Sequence, residues 1–261
     1  MAAPAIARVR LATVAAALAA WEALARSGLL YAEVVPPLEK IAVACFALLA
    51  SGSTYHHLAV TAWEVAAGLA IGYGASVAFG LAAGARRFFG DAAAPYVNGL
   101  ATAPKIVFLP IAMLFFGTGI ASKVALGALS AFFPVAINTA AGVRQLDPVL
   151  VKVGRSFRLG RWQMARRIYL PALRPSLVTS MRLGFGLAVV GVLLSEIKLS
   201  SAGLGFLANE SYANFRIAEL YAVLVLVFAL AVGVNSLLGY LSSGKGVRTL
   251  FGRRAAVEKG S

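Results

Sequence analysis

Charge is scarce in this chain. Only 13% of its 261 residues are Asp, Glu, Lys or Arg, against 60% hydrophobic residues, where a soluble domain carries about 25% charged. A water-soluble fold of this composition has too little polar surface to cover itself, so lipid is its natural solvent. Cysteine is scarcer still. Cys45 stands alone, which excludes an internal disulfide and any zinc site built on cysteines. Carboxylates number 10 against 24 basic residues, and none are paired as acid–base catalysis requires. His56-His57 has no carboxylate or cysteine at metal-ligand spacing and reads as an interfacial pair. H-E-x-x-H and G-x-S-x-G are both missing. The segment Gly239–Gly246 nearly matches a phosphate-binding loop. However, Gly246 replaces the hydroxyl that would hold Mg²⁺, and the segment ends an apolar run instead of joining a strand to a helix. It reads as a helix terminus with snorkelling cations such as Lys245. The chain therefore carries no catalytic residues, no metal site and no cofactor site of its own.

What the sequence has in abundance is apolar runs: Leu11–Leu30, Leu58–Gly84, Ala92–Phe116, Ala121–Val143, Leu177–Ile197 and Ile217–Leu241. A spanning helix needs about 20 apolar residues, so these predict about six transmembrane helices in a single domain, 1–261. Leu38–Ala50, which follows Pro36-Pro37, is short for a span and reads as an interfacial helix. Arg8 and Arg10 before the first run imitate a secretory signal; a retained first helix gives the better topological balance. Eighteen of the 24 basic residues fall at the termini, at Arg86-Arg87 and between Arg144 and Arg182. In a six-span chain these share one side, with only Arg26, Lys40, Lys123, Lys198 and Arg216 opposite. The positive-inside rule then places both termini in the cytoplasm. The net charge of +14 is thus explained by loops beside anionic lipid and does not call for nucleic acid.

Within the runs, Gly68/Gly72 and Gly80/Gly84 form G-x-x-x-G pairs. Such pairs either let helices approach closely in lipid or reflect the general frequency of glycine there. Lys105 lies inside the third run between Pro104 and Pro110. Two prolines in one span predict a kinked helix with freed carbonyls, tolerated where it lines a cavity. Lys105 either faces that pathway or snorkels to the cytoplasmic end. Arg182 and Glu196 lie near the ends of the fifth run and read as interfacial.

The segment 147–176 is the most informative. Asp147-Pro148 is a helix start, the carboxylate capping and the proline tolerated at the first position. Leu150, Val153 and Phe157 share one helical face, while Lys152, Arg155 and Arg158 recur on another. Gly160 interrupts the pattern, and a second short helix follows as far as Leu170-Pro171. Two helices joined at a glycine exceed what a connection in a compact bundle needs. The pattern fits either a partner-docking element or a helix lying on anionic lipid.

This segment resembles the cytoplasmic "EAA" loop of binding-protein-dependent ABC importer permeases, in the branch serving nitrate, sulfonates and taurine. The resemblance is carried by Arg155-Ser156, Arg161-Trp162, Ile168, Leu170-Pro171 and Pro175. Trp21-Glu22, Ala103-Pro104-Lys105-Ile106 through Leu109-Pro110, Phe116-Gly117-Thr118-Gly119, Gly142-Val143-Arg144 and Gly203-Leu204-Gly205-Phe206 extend it, in order, over nearly the whole chain. The chain departs from the pattern at three places. Lys152-Val153-Gly154 stands where the motif has Glu-Ala-Ala, Arg158 where it has glycine, and Glu64 where this branch carries a basic residue.

The resemblance implies an all-α, type I importer fold with both termini cytoplasmic, in a non-catalytic, multi-pass subunit of the bacterial inner membrane. It implies a second permease copy, most simply a homodimer, and a periplasmic or lipid-anchored solute-binding protein. It also implies a cytoplasmic ATPase dimer, which binds the ATP and Mg²⁺. Coupling to that ATPase falls to Lys152, Val153, Gly154, Arg155, Ser156, Phe157, Arg158, Gly160 and Arg161. The solute is a small one, such as nitrate, a sulfonate or taurine, and Pro104, Lys105 and Pro110 border its pathway. The alternative is a secondary transporter or channel subunit without an ATPase, which predicts an inverted repeat and an ionisable pair at mid-membrane.

Overall fold

The computed structural model describes residues 3–28 and 34–242. Its elements are all helical: α1 (Ala3–Arg26), α2 (Leu38–Ala50), α3 (Gly52–Ala85), α4 (Arg87–Thr102), a 3-10 turn (Lys105–Phe108), α5 (Leu109–Phe116), α6 (Ile120–Arg144), α7 (Pro148–Ser156), α8 (Arg161–Met164), a π-helical turn (Ala165–Tyr169), α9 (Leu170–Leu199), α10 (Leu204–Ala213) and α11 (Ile217–Ser242). Lys245, Arg248, Arg253, Arg254, Lys259 and the end of the phosphate-loop lookalike lie outside the described residues.

Among the described residues, four stretches are long and apolar enough to cross a membrane: α3, α6, Arg161–Lys198 and Ile217–Tyr240, with the bent pair α4–α5 making a fifth if it counts as one span. The first helix, expected as a span, is 24 residues long but is not among them. Eleven of its residues are alanine, which is only weakly apolar, and it carries Arg8, Arg10, Glu22 and Arg26.

The chain divides into two compact units, one of residues up to Thr61 with Glu196–Ala229, the other of Ala62–Ser195 with the chain from Leu230. In the second unit, α3 packs on α6 along a row of small residues at every fourth position. A Cβ added to Gly72 would lie 2.9 Å from Ala128 Cα, one on Gly80 2.6 Å from Thr139 Cβ, and one on Gly84 2.8 Å from Ala140 O. Ser76, in the same row, donates to Phe132 O at 2.8 Å. Both G-x-x-x-G pairs therefore mark a real helix contact, made close by the missing side chains. Val65 and Leu69 of α3, Ala131 of α6, and Phe185, Ala188, Val189 and Val192 of α9 form the core of this unit.

Two sequence expectations shift here. At the break Ala103–Pro104 the chain bends by 97° between α4 and the stretch Lys105–Phe116, a right-angle change of direction and not a kink. Pro110 adds no second kink, because it stands at the start of α5, where its missing N–H costs nothing. Leu170-Pro171 ends no helix: α9 begins at Leu170 and runs on through Pro175. The π-helical turn just before Pro171 is the kind of local widening that accommodates a missing donor and a crowding ring.

Candidate functional site

The segment 147–176 of the second unit folds as its residues suggest at its start. The Asp147 carboxylate accepts the Val149 N–H at 2.8 Å, and Pro148 occupies the first helical position of α7. Three faces then separate along nine residues. Gly154 is buried, and a Cβ there would meet Met164 Sδ and lie 3.2 Å from Ile168 Cγ1, so the absence of a side chain lets α8 seat against α7. Val149, Leu150 and Val153 form an exposed apolar row that continues to Phe157, 76% exposed, and Trp162, 74% exposed. Lys152 and Arg155 form a third face, also exposed.

The interruption between the two helices comes earlier than Gly160. Helix α7 ends with Phe157 as its cap. Arg158 N donates to Arg155 O at 2.8 Å and Leu159 N to Gly154 O at 3.2 Å. Arg158 itself has φ of 51°. Those two bonds around a left-handed residue are the Schellman ending, whose left-handed position favours glycine. The motif's glycine thus has a physical reason, and in this chain an arginine holds its place against a steric cost of about 1–2 kcal/mol. Gly160 instead starts α8: its carbonyl accepts from Met164 N at 2.8 Å, and its N–H donates to Gln163 Oε1 at 3.1 Å. Ser156 donates back to Lys152 O at 3.0 Å, and Arg161 is exposed.

Pro104, Lys105 and Pro110 meet around the break in the same unit. The Lys105 ammonium reaches back over the end of α4, donating to Leu100 O (2.7 Å), Ala101 O (2.9 Å) and Ala103 O (2.6 Å). It also lies 5.4 Å from the centre of the Phe133 ring, within cation–π range. The lysine therefore satisfies the carbonyls that the break releases.

Two carboxylates to which the sequence assigned no internal partner are buried. Glu64 of α3 is fully buried and pairs with Lys123 of α6 at 3.6 Å. Lys123, counted in the sequence among the cations on the far side, is itself nearly buried. Glu196, in the other unit, read from the sequence as interfacial, is fully buried within the protein. It accepts the Thr61 hydroxyl at 2.7 Å and the Gly205 N–H at 2.6 Å. Thr61 accepts Leu204 N–H at 2.8 Å, and His57 Nδ1 accepts Gly203 N–H at 3.1 Å. The three N–H groups that open α10 are thereby all satisfied by side chains. Gly203 is required twice over. Its φ is 109°, and a Cβ there would lie within 2.7 Å of Glu196 Oε2. In the same unit, Trp21 Nε1 donates to Pro36 O at 3.1 Å, and the Glu22 carboxylate accepts Leu38 N–H at 2.9 Å. The aromatic–acid pair in α1 thus caps the start of α2. The signal for Glu196 was the Gly203–Phe206 motif, whose tight glycines need an acceptor nearby.

Residues 75–244 match the family described as binding-protein-dependent transport system inner membrane component. The chain is 30% identical over 209 residues to a Bacillus subtilis permease named for aliphatic sulfonates transport, covering 80% of this chain and 76% of that one. It is 29% identical over 212 residues to an Escherichia coli permease named for the same transport, covering 81% and 80% of the two chains. It is 26% identical over 197 residues to a nitrate import permease of Synechocystis, covering 74% and 72%.

Proposed function

This chain belongs to the binding-protein-dependent transport family of inner-membrane components, and on that premise we propose how it works within its assembly. The family fixes the coarse identity: a non-catalytic, multi-pass ABC importer permease of the bacterial plasma membrane. In the reading proposed here, both termini and the 147–176 segment face the cytoplasm, and two copies of the whole chain, each acting as one permease domain, enclose the solute pathway. A binding protein delivers the solute, and an ATPase dimer carrying ATP and Mg²⁺ docks on α7 and α8. Residues Lys152 to Phe157, with Arg158, Gly160 and Arg161, form the docked surface, and Pro104, Lys105 and Pro110 border the pathway. Relatives named for sulfonates and nitrate support a small anion of that kind as solute. ATP drives the cycle by favouring one of two arrangements of the paired permeases.

One observation carries this reading above the rest. The row Val149, Leu150, Val153 and Phe157 is exposed on a short helix whose Gly154 face is already packed. An apolar row so placed serves as an anchor for a partner's cleft. Truncating a desolvated anchor costs about 2 kcal/mol, roughly thirtyfold in affinity. Phe157→Ala is therefore expected to weaken ATPase co-purification about thirtyfold and abolish solute-stimulated ATP hydrolysis, while Lys245→Ala leaves both unchanged. Normal transport by Phe157→Ala would sink the reading. For orientation, reporter fusions at Gly90 and Arg161 should report cytoplasm and fusions at Ser53 and Asn209 periplasm. A periplasmic signal at Arg161 reverses the topology and removes the docking site from the ATPase.

A further inference from the structure

The segment 147–176 carries seven cations, Lys152, Arg155, Arg158, Arg161, Arg166, Arg167 and Arg174, and one acid, Asp147. That acid is committed to capping α7. All seven cations are exposed, and among the described residues none of them takes part in an ion pair. They are not spread at random. Lys152 and Arg155 stand one turn apart beside the apolar row, and Arg158 follows at the left-handed turn that ends the helix. A basic strip thus borders an apolar strip along one wedge.

Arg158 adds the decisive detail. Its φ of 51° is a conformation in which a side chain is strained and glycine is not. Non-glycine residues held there cluster at functional sites. A lipid surface responds to the summed charge of a segment and gives no reason to fix one arginine at a strained position. A protein cleft with a carboxylate at a fixed place does.

We propose that the ATPase cleft receiving α7 is acidic, with carboxylates placed opposite Lys152, Arg155 and Arg158 around an apolar floor that takes Phe157. The proposal rests on the reading of α7–α8 as the ATPase contact and names the chemistry of the partner. Charge complementarity of this kind sets partner choice and association rate as well as affinity. The permease is thereby matched to its own ATPase and rejects one whose cleft is basic, since like charges brought together are strongly unfavourable.

The test uses the full-length chain in nanodiscs of phosphatidylcholine alone and, as probe, the purified ATP-binding subunit whose co-expression supports uptake. Binding is expected to weaken about tenfold between 50 and 300 mM NaCl, as screened charge pairs do. Lys152→Glu and Arg158→Glu, both exposed, should each weaken it about tenfold, and lysine substitutions at the facing ATPase carboxylates should restore it. Lys152→Gln, which leaves charge repulsion out, should fall between. If Phe157→Ala weakens binding while the charge reversals and salt leave it unchanged, the docking reading stands and the acidic cleft is wrong. If Phe157→Ala is also silent, the docking reading fails with it. Charge effects that appear only when phosphatidylglycerol is added assign the basic strip to lipid and overturn the proposal.

Discussion

At Ala103–Pro104 and again at Gly203 the chain leaves one helix and begins another, and the exposed backbone is satisfied by charges of opposite sign. At the first break the Lys105 ammonium gathers three carbonyls from the end of α4. At the second, Glu196, helped by Thr61 and His57, gathers three N–H groups at the start of α10. Each charge complements the partial charge of the helix end it meets. The sites differ in reach. Lys105 acts on residues two to five positions back, through a flexible side chain that remains partly exposed. Glu196 is fully buried, and the residues it unites come from three separate parts of the sequence. The first break is closed by a tether able to let go, the second by a fixed hub.

That contrast orders the expected effects of mutation. Glu196→Ala should be the most damaging, because it strands the Gly205 N–H and the Thr61 hydroxyl in a buried site. At 1–3 kcal/mol for each orphaned group, the loss is about 4 kcal/mol, read as a lower unfolding temperature of the solubilised chain. Glu196→Gln, which keeps one acceptor, should recover about half. Unchanged thermal stability in Glu196→Ala would show that the hub does not hold α10. Lys105→Met should cost less, about 2 kcal/mol, seen as faster amide exchange confined to residues near the break. If the lysine also borders the pathway, uptake falls in the same variant while assembly persists; wild-type uptake would leave it a helix cap only. Arg158→Gly should have the smallest effect and the opposite sign. Removing the left-handed strain should stabilise the end of α7 by about 1 kcal/mol. A gain in stability joined to a loss of ATPase affinity would separate what the turn needs from what the partner needs.

How far these features could be read beforehand follows the same division between local and distant. The start of α7 was legible because Asp147, Pro148 and Val149 settle it among themselves. The α3 contact was half legible: Gly68, Gly72, Gly80 and Gly84 repeat at the spacing of one helix face, but glycine's general frequency in such helices left the reading open until the partner on α6 was seen. The break before Lys105 was signalled by Pro104, although its 97° bend depends on carbonyl contacts that no pattern displays. The burial of Glu196 and Lys123 was not legible: both lie near the ends of apolar runs, and their partners, Thr61 and Glu64, stand far away in the chain. The left-handed turn at Arg158 was hidden because arginine carries no sign of it, and Gly160 drew the helix boundary two residues too late.

The spacing of small residues on α3 has a consequence for alignment. A row repeating every four residues nearly superimposes on itself after a slip of one turn, about 6 Å along the axis. Steric fit alone would leave α3 and α6 two near-equivalent ways to lie together. Ser76 breaks that equivalence, since after such a slip its side chain would enter a space that admits only glycine, as Thr139 shows opposite Gly80. The Glu64–Lys123 pair breaks it more forcefully, because the same slip would pull two buried charges apart. A buried ion pair adds little to net stability, but separating one is costly, and keying the register of helices is its best-attested use. The two charges act as a detent, making one setting of an otherwise repeating rail the only one at rest.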